Sequence, residues 1–363
     1  MGGRFGSARP HPPPHPPPHP LPHRLLESRA YCQATRPRQQ DLRREARQLD
    51  AIEIDIGGTK IAGAVVDEVG NILAEDRVAT DASDSDAIVD EVVAMIERLG
   101  AGREIHAAGV AAPGFIDAAQ SMVYYTPNIP WREEPLRQRL LDRLDLNITI
   151  DNDANAAGWA EFRFGAGRLV SDMTMLTIGT WVGGAIVTRD RLFRGGFGAG
   201  AELGHMRIVP DGLPCGCGAR GCIEQYGSGR ALLRMANAIA DVGGIGHTLG
   251  RVREQNGTLT GHDVSALIIS GDPGALHALR ELGHWLGTAC ASLSAILDPQ
   301  LFVFGGGVSV AGDLLLEPIR EAYRAHVPAR GYHPEPEFAV AELVNDAGVV
   351  GAADLARLHL QTI

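Results

Sequence analysis

No run of apolar residues in this 363-residue chain is long enough to cross a bilayer, and its start lacks the apolar stretch that a secretion signal needs. Cysteine is scarce. Three of the five, Cys215, Cys217 and Cys222, crowd together, so no disulfide framework can be drawn, and a reducing, cytoplasmic setting is expected. Cys32 and Cys290 read as inert thiols. Positive charge is short as well: 33 Lys+Arg against 44 Asp+Glu leave a formal charge of -11, which argues against a broad nucleic-acid surface. Neither a nucleic-acid nor a membrane partner is expected. The Walker pattern GxxxxGK[ST] is missing too. What is left, at 45% hydrophobic and 21% charged, is an ordinary globular chain long enough for about two lobes.

Residues 1–50 differ from the rest. An HPPP unit repeats through residues 10–23, a composition that favours polyproline II or disorder and cannot build a core. The folded part is expected to begin at Ala51 with two strands, IEIDI and IAGAVV, around Gly57-Gly58-Thr59-Lys60. An acid at a strand end, two glycines and a Thr-Lys pair suit a phosphate loop. Backbone amides can approach an anion there, and Asp55 can hold a hydrated magnesium ion. A tight hairpin without a ligand is the plainer alternative.

Apolar spacing predicts an amphipathic helix over 85–100, followed by a strand over 105–110 and a rigid loop over 111–117 that contains Gly114. Residues 126–131 read as a loop, 135–144 as a helix and 148–150 as a strand. That strand runs into Asp151-Asn152-Asp153-Ala154-Asn155, just before an Ala-rich helix. Polar clusters at strand ends are where open α/β sheets bind ligands. Helix capping explains one such residue but not four. Residues 173–187 repeat the first pattern as strand, Gly179-Thr180, Gly183-Gly184, strand. A third strand ends in Gly305-Gly306-Gly307. Helices are expected over 276–297 and 348–360. Strand-glycine-strand units in both halves suggest a duplicated α/β lobe with a nucleotide between the copies.

His205, Cys215, Cys217 and Cys222 form H-x9-C-x-C-x4-C. Three thiolates and an imidazole suit a closed tetrahedral zinc site, with glycines between them to permit the tight turns. A redox cluster, or plain turns with buried thiols, are the alternatives. Residues 216–221 also match GxGxxG, but no strand precedes them and no helix follows, so a dinucleotide site is rejected.

DIGGTK (55–60), APG (112–114), DNDAN (151–155), the loop at 179–184, ELGH (202–205), CGCGARGCIE (215–224) and FGGGVS (304–309) together resemble the ROK family of sugar kinases and sugar-responsive repressors. Their order and spacing are most similar to bacterial, actinobacterial-type ROK glucokinases. The resemblance runs from Ala51 to the C-terminus. It implies the actin/hexokinase-like (ribonuclease H-like) α/β fold, with two lobes and a cleft between them. On that basis 51–157 make a small lobe onto which helix 347–363 packs back, and 158–346 make a large lobe with the zinc motif and nucleotide loops. The implied reaction moves a phosphoryl group from ATP to the 6-hydroxyl of glucose. The alternatives are another hexose or N-acetylhexosamine as substrate, polyphosphate as donor, or a sugar-binding regulator without turnover. A repressor would need a helix-turn-helix before the core, and residues 1–50 show no such pattern.

Matched residue by residue, the resemblance makes Asp153 the catalytic base. Gly114, Asn152, Glu202, His205 and Glu224 become sugar ligands, with His205 serving the zinc through one ring nitrogen and the sugar through the other. Asp55, Gly57, Gly58, Thr59, Lys60, Gly179, Thr180, Gly183 and Gly184 grip phosphates, and Gly305, Gly306 and Gly307 lie on the adenosine side. Zinc is structural, magnesium accompanies the nucleotide, and a homodimer or homotetramer is implied. One position departs from the family loop GTGxGG: Trp181 stands where a glycine is usual. An indole there blocks ATP, forces a rearranged loop, or points away. Reduced nucleotide affinity is the expectation.

Overall fold

The computed structural model describes residues 49–79, 83–126, 129–344 and 346–360. The Pro/His-rich repeat, Cys32, Pro127 and Asn128 of the expected 126–131 loop, and residues 361–363 of the expected helix 347–363 lie outside these residues.

The first lobe opens with β1 (Asp50–Ile56), β2 (Lys60–Val66) and β3 (Ile72–Ala79). Alternation sets the faces of β1. Ile52, Ile54 and Ile56 are fully buried in one core with α1 (Ser85–Gly100), while Ala51 faces a second core of small residues. Helix α1 forms where the apolar spacing predicts it. Asp84 caps it by accepting from the Asp86 and Ala87 amides, and Ile88, Val89, Val92, Met95, Ile96 and Leu99 are buried. Then come β4 (Ile105–Ala112), the short strands β5 (Phe115–Ile116), β6 (Val123–Tyr125) and β7 (Arg132–Glu134), α2 (Leu136–Leu141), β8 (Asn147–Asn152) and α3 (Asp153–Arg163). Strands β5 to β7 make a separate small sheet in part of the region expected to be loop. Runs of two and three residues give no periodicity to read.

The second lobe carries β9 (Met173–Ile178), β10 (Val182–Thr188) and β11 (Arg191–Leu192), then α4 (Glu224–Gly227), α5 (Gly229–Val242), α6 (His247–Asn256), α7 (Gly261–Ile269) and α8 (Pro273–Leu297). It closes with β12 (Leu301–Gly305), α9 (Asp313–His326) and β13 (Glu337–Val340), before the final helix α10 (Ala347–Leu360). Helix α8 starts three residues ahead of the expected 276. Asp272 caps it by accepting from the Ala275 amide, and Pro273 occupies the first turn.

The duplication expected from the glycine turns is realised in the topology. One sheet runs β3-β2-β1-β4-β8 and the other β11-β10-β9-β12-β13. In each, three antiparallel strands lead into two parallel crossovers. Helix α3 joins them, packing on α10 from one side and on β10 from the other. The contact with α10 is close: a Cβ on Gly351 would lie 1.8 Å from the Ala156 carbonyl oxygen. Asp354 of α10 locks the pair, accepting from Trp159 Nε1 at 2.8 Å and from Arg163 Nε at 3.1 Å, all within the protein interior. This rigid junction presents the first residue of α3.

Candidate active site

That first residue is Asp153. The neighbouring Asn152 is the N-cap, its Oδ1 accepting from the Ala154 amide at 2.9 Å and the Asn155 amide at 3.2 Å. The capping alternative is thus filled by Asn152, and the carboxylate of Asp153 is left facing outward. Asn152 Nδ2 also donates to the Gly114 carbonyl at 3.1 Å, which ties the loop after β4 to this helix end. Gly114 has φ +109, and a Cβ there would lie 2.1 Å from the Tyr125 carbonyl oxygen.

Asp153 keeps access to solvent but is walled in by protein on most sides. Its pKa is pushed up to about 6, chiefly by the loss of surrounding water and also by the Asp55 carboxylate, against a hydrogen bond from the Ala154 amide. Asp55, at the end of β1, is likewise raised by burial, with Lys60 pulling the other way. Lys60 opens β2 just past the glycine turn, and the Gly57 amide donates to its carbonyl at 2.9 Å. Asp55 at the first expected loop therefore stands within electrostatic reach of both the base candidate Asp153 and the ammonium of Lys60.

Glu202 and His205 arrive on a 3-10 turn from the second lobe. The Glu202 carboxyl is raised by burial first, and the charges of Asp153 and Glu224 add to the rise while His205 opposes it. So Asp153, Glu202, His205 and Glu224, scattered in sequence, share one electrostatic neighbourhood. Glu224 begins α4 and is 6% exposed.

His205, Cys215, Cys217 and Cys222 bring one ligand atom each to within 4.8 Å of the others. Two short antiparallel bridges, Arg207 with Cys222 and Pro214 with Arg220, fold the knuckle. Cys217 Sγ and Cys222 Sγ stand 3.7 Å apart, and His205 Nδ1 is 3.7 Å from Cys215 Sγ. A disulfide needs about 2.0 Å. Two sulfurs each about 2.3 Å from one ion, at a tetrahedral angle, would be about 3.8 Å apart. The donor set and its spacing fit a tetrahedral metal ion.

In the second loop the Gly179 amide donates to the Trp181 carbonyl at 3.0 Å. Trp181 is not among the residues with positive φ, so no glycine is demanded by its backbone. Its indole is 52% exposed and has the Arg230 guanidinium 4.4 Å from its centroid. Thr180 is exposed beside it. Gly183 and Gly184 lie inside β10, where close packing calls for glycine: a Cβ on Gly183 would meet Ala154 Cβ at 3.0 Å, and one on Gly184 would meet the Ala201 carbonyl oxygen at 2.6 Å. Gly305 ends β12, and Gly306, at φ +83, turns the chain toward Gly307.

Two residues escaped the sequence reading. Asp151 is buried and takes Arg194 Nε at 2.9 Å and Arg194 Nη2 at 2.5 Å, together with Gln120 Nε2 at 3.0 Å and Asn155 Nδ2 at 3.1 Å. It fastens the strand end bearing Asn152 and Asp153 to the loop leading into Glu202. Nothing local in DNDAN marks Asp151 apart from its neighbours. Glu53 is fully buried, with neither oxygen hydrogen-bonded, and burial followed by the Asp55 charge holds its pKa well above the usual value. Alternation with Ile52 and Ile54 was the available signal, since it puts an acid on an inward face.

The sequence model of the ROK family matches residues 51–359. A glucokinase of Streptomyces coelicolor is 44% identical over 313 residues, covering 84% of this chain and 97% of that protein. Among solved structures, a ROK family glucokinase from Streptomyces griseus in complex with glucose and AMPPNP is 43% identical, with TM-score 0.74, over 85% of this chain and 99% of that one. A ROK hexokinase from Thermus thermophilus is 31% identical, with TM-score 0.71, over 87% and 100%.

Proposed function

The chain belongs to the ROK family and has its actin/hexokinase-like fold, and on that footing we propose that it is an ATP-dependent glucokinase. The observation that carries the reading is Asp153: a solvent-accessible carboxylate at the junction of two duplicated sheets, with a pKa raised to about 6. At neutral pH such a group is deprotonated yet still basic enough to take a hydroxyl proton. The 6-oxygen of glucose forms a bond to the γ-phosphorus, the bond from that phosphorus to the βγ-bridging oxygen breaks, and the hydroxyl proton passes to Asp153. ADP and glucose 6-phosphate leave. The names of the Streptomyces relatives support glucose and ATP as the substrates.

Asn152, Glu202, His205 and Glu224 hold the sugar hydroxyls in this reading, and the Gly114 carbonyl positions Asn152. The 57–60 and 179–184 loops grip the phosphates, with the glycines at 305–307 on the adenosine side. Magnesium bound with the nucleotide, near Asp55, would offset phosphate charge. Zinc held by His205, Cys215, Cys217 and Cys222 would fix the orientation of His205. Residues 51–157 with 347–363 serve as the small lobe and 158–346 as the large one. We place the enzyme in the cytoplasm as a homodimer or homotetramer. No described helix is long and apolar enough to cross a membrane.

A coupled assay with magnesium-ATP and a panel of glucose, mannose, fructose and N-acetylhexosamines tests the proposal beside Asp153→Asn. Turnover should be highest with glucose and vanish in the variant. Turnover with every sugar but glucose would overturn the substrate, and full activity in the variant would overturn the base.

A further inference from the structure

The kinase reading leaves Trp181 without a role. Of the four tryptophans, Trp131 and Trp159 are at most 5% exposed, while Trp181 stands half exposed in the second glycine loop. Its ring is covered by the guanidinium of Arg230, at 4.4 Å. Arg230 is held near the loop through the backbone as well, because the adjoining Gly229 amide donates to the Gly179 carbonyl at 2.8 Å. Trp181, Glu224, Gln225, Ser228, Arg230 and Arg234 line a cavity of about 210 Å³ beside this contact. Arg234 donates to the Gln225 carbonyl. No carboxylate pairs with Arg230 among the described residues. Two guanidinium groups against the one Glu224 carboxylate make the cavity net positive in a chain of formal charge -11.

A guanidinium over an aromatic ring spends its flat face on the ring and keeps its N–H edge for an acceptor. The edge is a fork that matches phosphate oxygens, and losing it costs more than losing a point charge. Building on the kinase reading of this loop, we propose that Arg230, held by Trp181, is a phosphate-binding residue, and that the cavity takes part of a condensed phosphate chain. That chemistry is shared by a nucleoside triphosphate and by an inorganic polyphosphate. The indole is then a platform for the cation. This reverses the sign of the effect expected from the sequence: removing the ring weakens binding of the donor.

Calorimetry on the full chain, with acrylamide quenching of tryptophan as a second readout, tests this using three probes: a magnesium-bound non-hydrolysable ATP analogue, AMP and inorganic tripolyphosphate. Arg230→Gln should weaken the triphosphate analogue about tenfold and leave AMP unchanged. Arg230→Lys should recover part of the loss, and Trp181→Gly should weaken the analogue while Trp181→Phe largely keeps it. If tripolyphosphate binds alone and loses affinity in Arg230→Gln, the cavity accepts a free chain; if only the nucleotide does so, the nucleotide is the source. Unchanged affinity in Arg230→Gln, equal loss for AMP, or tighter binding in Trp181→Gly overturns the proposal. The kinase reading fails separately: no turnover with any hexose, beside Arg230-dependent phosphate binding, removes the kinase and leaves the subsite.

Discussion

The two five-stranded sheets share a strand order, yet the turns that open them carry charge in opposite ways. The first hairpin closes on Ile56 with Ile61 and the second on Ile178 with Val182. One residue before each closing pair the first sheet has Asp55 and the second Thr177. The first turn contains its own cation, Lys60, next to an acid. The second, Gly179-Thr180-Trp181, contains no charge, and a cation is brought to it by α5 as Arg230 over the indole. Identical backbone topology thus supports two different sites, because side chains at a turn and helices packed beside it set the local field. The first turn, with Asp55 beside Lys60, suits a phosphate that arrives with a metal ion. The neutral turn with a borrowed arginine suits an anion.

The largest way to break this contrast is to remove the acid at the junction of the two sheets, which sits beside Asp55 of the first turn and Glu202. Asp153→Asn is expected to lower kcat by about 10²–10⁴-fold while calorimetry still records glucose binding. In the unaltered protein, kcat/KM should fall about tenfold per pH unit below the Asp153 pKa of about 6, since protonation removes the base; a flat profile down to pH 5 would contradict the assignment.

The rigid junction between the sheets comes next. Asp354→Ala leaves Arg163 buried without its carboxylate and Trp159 without an acceptor, and urea denaturation should show a loss of about 3–5 kcal/mol. A smaller effect is expected at the knuckle that supports Glu224. Cys217→Ser should lower metal content roughly tenfold or more and raise the KM for glucose more than that for ATP; equal shifts in both would separate the knuckle from the sugar side.

The smallest effect concerns the acid-rich side itself. Glu53→Gln should raise the melting temperature at neutral pH. Burial raises the folded pKa of Glu53 above its ordinary 4.5, so the native state holds a proton that the unfolded chain has released. The protein therefore loses stability as pH rises from about 4.5 toward the folded value, and Glu53→Gln does not. The two melting curves should converge in acid and part as pH increases. Parallel curves would mean that Glu53 finds a partner in solution.

Most elements were legible in the sequence because their signals are local. Six buried apolar residues at helical spacing mark α1, and strand-glycine-strand units mark both hairpins. The start of α8 was misplaced, although Asp272 and Pro273 are a readable cap. The sheet of β5 to β7 offered too few residues to show a period. In the site, Asp153 and the cysteine knuckle were visible as clusters, whereas Arg194 and Arg230 were not, since neither sits in a motif.

The sequence by itself determined the turn chemistry, the clustering of the His/Cys quartet, the strand that carries Asp55 and the strand-to-helix corner that carries Asp153, because hydrogen bonding, φ preference and ligand spacing act over a few residues. Tertiary structure alone decided the pKa of Asp153, the ion pair of Asp151 with Arg194 43 residues away, and the seating of Arg230 on Trp181. Those depend on which distant groups share a space from which water has been removed, and electrostatic strength there follows from distance and burial rather than from order along the chain.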